Sequence, residues 1–324
     1  MIQPIISGTS RWYWALAVGF LCSLSAPVRA EVYKIEKKKS VIKVYDVTSK
    51  NNLLIDNQFG QVKVNLWDKN EIRVDIRITA NSDTDDRAQH YLNGVDIEDK
   101  QEGGQISIRT IINKDERMNR NAGNSKERNF VHIDYAVFMP KNTPLNVKNR
   151  FGVITIPVFK APLMVESEHG SFIATDLSGS KNDIDVAFGK ADIQQLLNGN
   201  VAIAYSGGRI GTLKGSSKIK LSFSGGFRFE QLKELAEDVA IEAVHSAVVI
   251  PTENNDCHFD VTVVYAGFKY PNDRNVTFTQ NDDNRPEAAQ RYISRTAKQY
   301  IGKFGKGNGT KVKIVSKYGE VTLR

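Results

Sequence analysis

The chain has 324 residues, 44 basic against 37 acidic side chains, a formal net charge of +7 and two cysteines. A basic excess this mild is spread along the chain. No cluster of it is interleaved with base-stacking aromatics, which excludes the footprint of a nucleic-acid-binding protein.

Residues 1–30 read as a secretory leader. Arg11 provides a positive start, 12–25 is apolar but too short to span a membrane, and Val28-Arg29-Ala30 offers a cleavage site. Cys22 would be the acylated residue of a lipoprotein, but Gly19-Phe20-Leu21 before it lacks the leucine-then-small pattern. Without the leader, 294 residues remain with a net charge of +5, enough for one long solenoid or two domains. Cys257 is then alone, so no intramolecular disulfide can form. It reads as a small buried hydrophobe, with an intermolecular link as the alternative. No later segment approaches 18 apolar residues.

Residues 31–140 predict a small α+β unit. Alternation at 41–48, 53–64, 72–79, 106–112 and 130–139 gives strands. A short helix is expected at 84–92, where Asp85 and Asp86 favour its N-terminus. The stretch 114–129 is polar and aperiodic and reads as a mobile loop.

From 141 a phrase recurs: alternating apolar residues, a pivot, then alternation again. Its pivots are Gly152, Gly170, Gly189, Gly208, Gly226 and Ser246, at steps of 18, 19, 19, 18 and 20 residues. A looser copy pivots at Gly267, and detached copies at Gly60 and Gly319. Positions −7 and −5 from the pivot are apolar, as in Leu145 and Val147, or Leu163 and Val165; Asn182 is the exception at −7. Each copy is therefore two short strands with a bend. One copy cannot bury its apolar face alone, and stacking joins the faces into one core. The expected fold is mainly β: a right-handed parallel β-helix or solenoid of 18–20 residues per coil over 141–324, capped by 31–140. An antiparallel meander is the alternative, but the Asn-Gly turns it needs are irregularly placed.

Position −1 holds Phe59, Phe151, Phe188 and Tyr318, and in two copies His169 and His245. Strand parity puts it on the inward face, so the two histidines read as core residues rather than metal ligands or bases. Outward positions −4 and −2 include Lys148 and Arg150, Glu166 and Glu168, Ala204 and Ser206, and Ser222 and Ser224, with no single residue type stacked along the copies.

An insertion is expected at 271–310. Within it, 286–304 has helical spacing, with Ala289, Tyr292, Ile293, Ala297, Tyr300, Ile301 and Phe304 on one stripe. It reads as a helix covering the last coil or, through Arg291, Arg295 and Lys298, as a basic amphipathic helix on a membrane surface. The glycines of 305–309 lack phosphate-loop spacing.

Chemistry is sparse. Glu166, Asp183, Asp185 and Asp192 could form the carboxylate pair of a glycosidase, but exposed carboxylates on a flat sheet lack the surroundings that raise one pKa. Asp256, Cys257 and His258 are adjacent on a strand and point to alternating faces, which suits no zinc site. No catalytic, cofactor-binding or metal-binding residues are assigned, and no cofactor is expected.

Asn57-Gln58-Phe59-Gly60, Leu66-Trp67-Asp68-Lys69-Asn70-Glu71, Ile133-Asp134-Tyr135, Met139-Pro140, Asn149-Arg150-Phe151-Gly152 and Ser316-Lys317-Tyr318-Gly319 resemble phrases of the bacterial "putative adhesin" domain family of unknown function, related to the auto-transporter adhesin head (GIN) domain. That resemblance spans most of 31–324. It implies a right-handed β-helix exported to the periplasm or cell surface, and supplies no catalytic residues. The expected function is a non-enzymatic envelope module that binds or scaffolds a polysaccharide or another envelope protein. The alternative is a carbohydrate-active enzyme on a β-helix scaffold.

Overall fold

A computed structural model of the protein describes residues 35–113, 130–232, 238–252, 256–271, 276–284, 296–306 and 309–324. The expected leader and the stretch 114–129 lie outside these residues. The fold is mainly β, with one α-helix among the described residues. Its strands form large sheets of thirteen and nine strands and a small sheet of three, with parallel and antiparallel neighbours mixed.

Between 145 and 250, each two-strand unit gives its first strand to the thirteen-stranded sheet. Leu145–Arg150, Leu163–Glu168, Asn182–Ala187, Gly199–Ala204, Ser217–Ser222 and Asp238–Val244 lie side by side in chain order, all parallel. The second strands, from Val153–Ile156 to Phe227–Leu232, do the same in the nine-stranded sheet. Register is kept throughout. Val147 pairs with Val165, then Ile184, Val201, Ile219 and Ile241. Each of these is buried, and together they form one stripe of a core running from Val47 to Leu323. Alternation places them inward because a one-residue slip would expose the whole row.

The order changes at both ends. Thr310–Lys317 lies between Asp238–Val244 and Cys257–Val264, although the chain makes it last. Its second strand, Val321–Leu323, likewise sits between Val248–Ile250 and Phe268–Lys269. At the other end, Asn52–Gln58 lies between Gln105–Ile112 and Leu145–Arg150. Val62–Trp67 follows the same pattern between Phe130–Pro140 and Val153–Ile156.

Antiparallel strands finish each end. Ile35–Asp46 pairs with Glu71–Ser82, which pairs with Phe130–Pro140, and Val95–Glu102 covers Gln105–Ile112. Lys37, Lys38, Lys39 and Lys43 line the edge strand Ile35–Asp46, a composition that discourages edge-to-edge pairing. The helix Asp85–Asn93 starts at Thr84, whose hydroxyl accepts from the Arg87 N–H, and buries Ala88 and Leu92.

Three expectations are corrected. The helix expected over 286–304 is, in its described part, the strand Ala297–Phe304; the rest lies outside the described residues. There Tyr300, Gly302 and Phe304 are buried in alternation, and the strand runs antiparallel to both Cys257–Val264 and Val276–Asn281. Two pivots also move. Lys190 pairs with Gly207, so Gly189 is matched by Ser206 rather than Gly208. Ser224 takes the place assigned to Gly226, since Ser206 N–H donates to its hydroxyl. Consequently Ser206 and Ser224, expected outward, are buried. Asn182 is buried because its side-chain amide caps turns, donating to the carbonyls of Leu197 at 2.7 Å and Gly179 at 3.2 Å.

Candidate functional site

The corner that ends each first strand builds the most distinctive surface. Nine residues there have φ between 49° and 65°: Phe59, Phe151, His169, Phe188, Tyr205, Phe223, His245, Tyr318 and Tyr265. Asn198 is the one other non-glycine residue with positive φ among those described. A left-handed residue breaks the strand and swings its Cβ away from the interior. The following residue must be small because the chain packs against the unit before it. A Cβ on Gly152 would lie 1.7 Å from the Gly60 carbonyl oxygen, and one on Gly170 would lie 1.9 Å from that of Gly152. Where serine replaces glycine, its hydroxyl joins the packing. Ser206 Oγ accepts from Gly189 N–H at 2.9 Å, and Ser246 Oγ accepts from Ser224 N–H at 2.9 Å.

The nine rings stack in one file. Eight successive centroid separations run from 4.7 to 5.4 Å, with interplanar angles of 1° to 17°. Strand spacing sets this repeat, because each ring hangs from the next unit, and the file is roughly 40 Å long. Except for Phe59, which is half-buried against the core, the rings are exposed. Phe188 is 52% exposed, Tyr205 53% and Tyr265 62%. This corrects the inward placement of position −1. His169 and His245 do share the aromatic row, but they stand in the open file, each between two rings.

Stability alone does not account for this row. A stacked aromatic pair contributes about 0.5–1.5 kcal/mol. A left-handed non-glycine residue costs on the order of 1–3 kcal/mol. The two nearly cancel, and glycine or asparagine would turn the same corner with less strain. What remains is a continuous stripe of exposed ring edges, the kind of surface that marks an interaction site.

The carboxylates are divided between sheets. Glu166 and Asp185 face each other across adjacent strands, and Asp183 faces Met164. Asp192 lies on the nine-stranded sheet, 3.1 Å from Arg209 Nε. Lys148 Nζ donates to Glu166 at 2.7 Å. Partial burial, then the charges of Glu166 and Glu168, push the Asp185 carboxyl above its usual range. Sequence reasoning expected nothing to raise it, because the like charges meet only once the register is known. Burial would also raise Asp183, but hydrogen bonds from Asn200 and Lys181 hold it low. The Cys257 thiol is buried and donates to the His258 carbonyl at 3.2 Å, and burial pushes it up to about 12. His258 lies on the exposed face. Among the described residues no group of three or more His, Cys, Asp or Glu could hold a metal, and no helix is long and apolar enough to cross a membrane.

The sequence matches no protein-family model and no curated protein. In fold, the solved structures to which the chain is similar include the following three. One is a "putative cell adhesion protein" from Clostridium sporogenes ATCC 15579, with 11% identity, a TM-score of 0.25, and coverage of 89% of this chain and 99% of that one. Another is a "putative adhesin" from Bacteroides fragilis NCTC 9343, with 10% identity, a TM-score of 0.40, and coverage of 88% and 97%. The third is a "putative lipid binding protein" from Parabacteroides distasonis ATCC 8503, with 10% identity, a TM-score of 0.37, and coverage of 88% and 96%.

Proposed function

We propose that the chain is an exported, non-enzymatic, adhesin-like binding or scaffolding module of the bacterial cell envelope, in the periplasm or at the cell surface. Its parallel run reads as a right-handed β-solenoid over 141–324, capped by 31–140. The observation that carries the reading is the file of nine stacked rings, eight of them exposed. Inner ring faces are taken by their neighbours, so a partner meets ring edges along a line. Such a line suits an extended partner, an envelope polysaccharide or a segment of another envelope protein, better than a compact small molecule.

The test is an array of envelope glycans and proteins probed with residues 31–324 and with a Phe188→Asn/Tyr205→Asn variant. Asparagine tolerates the left-handed corner, so the backbone is kept. A small set of linear ligands should bind the parent, and the variant should bind them about tenfold or more weakly, as expected for central aromatic contacts. Equal binding by both chains would remove the ladder from the function. Glycan turnover that depends on Glu166 and Asp185 would replace the reading with a carbohydrate-active enzyme.

A further inference from the structure

A second feature lies on the outer face of the thirteen-stranded sheet, away from the rings. The strands Asn182–Ala187, Gly199–Ala204 and Ser217–Ser222 pair in parallel and in phase. Their registers align Asp183 with Asn200 and Lys218, and Asp185 with Ala202 and Lys220. The middle strand thus forms a floor of small residues, with an acidic wall on one side and a basic wall on the other. The walls are two strand spacings apart, roughly 10 Å. Together these residues line an open cavity of 420 Å³, within the range of about 300–1,000 Å³ usual for small-molecule sites.

Asp183 is held within the protein, 3.0 Å from Lys181 Nζ and accepting from Asn200 at 2.9 Å, but the other wall charges are left over. Among the described residues, Asp185 and Lys218 make no ion pair. Lys220 comes no nearer than 3.9 Å to Glu242, with both side chains well exposed. Where acid and base stand on neighbouring strands they close such pairs, Lys148 with Glu166 at the rim of this cavity at 2.7 Å and Arg209 with Asp192 on the other sheet at 3.1 Å. Here a strand carrying Asn200 and Ala202 separates acid from base, and they do not pair. Like charge also crowds the acidic wall, where Glu166 and Glu168 sit on the strand beside Asp185. A cation at that wall would relieve the crowding.

The geometry points to a binding site for a zwitterionic ligand, with its amine against Asp185 and its carboxylate or phosphate against Lys218 and Lys220. The neutral part of the ligand spans Asn200 and Ala202. A ligand of one sign satisfies one wall only, whereas a dipolar ligand gains both, in a single orientation. No ring of the ladder takes part, so this site stands or falls apart from the function proposed above.

The probe is 6-aminohexanoate, titrated at low ionic strength into residues 31–324 carrying isotope-labelled alanine. The NMR signals of Ala202 and Ala187 are followed. Hexylamine and hexanoate are the single-charge controls, and 6-aminohexyl phosphate tests the anion source. Saturable shifts are expected with the two zwitterions, at least about fivefold tighter than with either control, since an exposed ion pair contributes up to about 1 kcal/mol. Asp185→Asn and Lys220→Gln should each weaken binding by a similar factor, and the wall exchange Asp185→Lys/Lys220→Asp should recover it. These exposed substitutions are checked for an unchanged melting temperature. Phe188→Asn/Tyr205→Asn should leave the binding intact. Equal affinity for hexylamine and 6-aminohexanoate, or indifference to both single substitutions, overturns the proposal. So does concentration-dependent dimerisation that Asp185→Asn abolishes, which would assign the walls to a second copy of the chain.

Discussion

The ring of His245 stacks on that of Tyr318 at 4.7 Å, although Tyr265, the ring beyond Tyr318, is made earlier in the chain. The last unit therefore fills a gap between two units already built. Deleting residues 309–324 strips Asp238–Val244 and Cys257–Val264 of the strand between them. Hydrogen exchange should rise in those two strands and stay low in Asn182–Ala187. A peptide of residues 309–324 added in trans should restore protection by strand addition. Unchanged exchange in the deleted chain would refute the pairing.

Gly152→Ala tests the tight corner. Its Cβ would meet the Gly60 carbonyl oxygen at 1.7 Å and the Asn149 amide at 3.0 Å. The backbone must shift, at a cost of about 1–3 kcal/mol or more, read as a lower urea midpoint at constant slope. Gly103→Ala is the control: no atom lies within 4 Å of its Cβ, and only the positive φ is strained.

Phe188 separates stacking from strain. Phe188→Ala loses contacts with His169 and Tyr205 but keeps a β-carbon at φ 55°. Phe188→Asn loses the same contacts at a position asparagine tolerates. The alanine variant should be the less stable of the two, by about 1 kcal/mol, in equilibrium unfolding. The reverse order would mean that the corner is unstrained.

Cys257 reports local opening. With its thiol buried and pushed up to about 12, iodoacetamide at mildly alkaline pH should leave the native chain unlabelled and react fully in urea. Labelling without denaturant would show that the strand Cys257–Val264 opens on its own.

Asp99 ties the edge strand Ile35–Asp46 to the thirteen-stranded sheet. It accepts from Lys43 Nζ at 2.7 Å and Tyr45 OH at 2.5 Å. The Lys43 bond, then that of Tyr45, holds its carboxyl below the usual range. A depressed acid contributes stability that is present above the unfolded value of about 3.9 and is lost as pH falls through the folded value. Asp99→Asn should destabilise at neutral pH and flatten the acid limb of the stability profile measured by urea titration.

Much of this architecture was legible in the residues. The inward rows through Val147 and Val165 follow from alternation, and the helix Asp85–Asn93 follows from its acidic first turn. Strand parity does not extend through position −1, because φ there is positive, which turns His169 and Phe188 outward. Glycine misled as a pivot marker at Gly208 and Gly226, since Ser206 and Ser224 fill the corner with hydroxyl hydrogen bonds. In 297–304 the side chains of Tyr300 and Phe304 satisfy helical and alternating spacing alike, and pairing with Cys257–Val264 decides between them. Glu166 and Asp185 were singled out as candidate carboxylates, but the trough between Asp185 and Lys220 appears only when three strands are set in register.

The two out-of-order units also constrain how such a chain can change length. A duplication within 145–250 would place a new unit between neighbours that are consecutive in both chain and space, and both closures would survive it. A duplication at either terminus would fall outside its closure and find the adjoining edges already occupied. Lineages of this fold should lengthen from the middle, with their ends carried along unchanged.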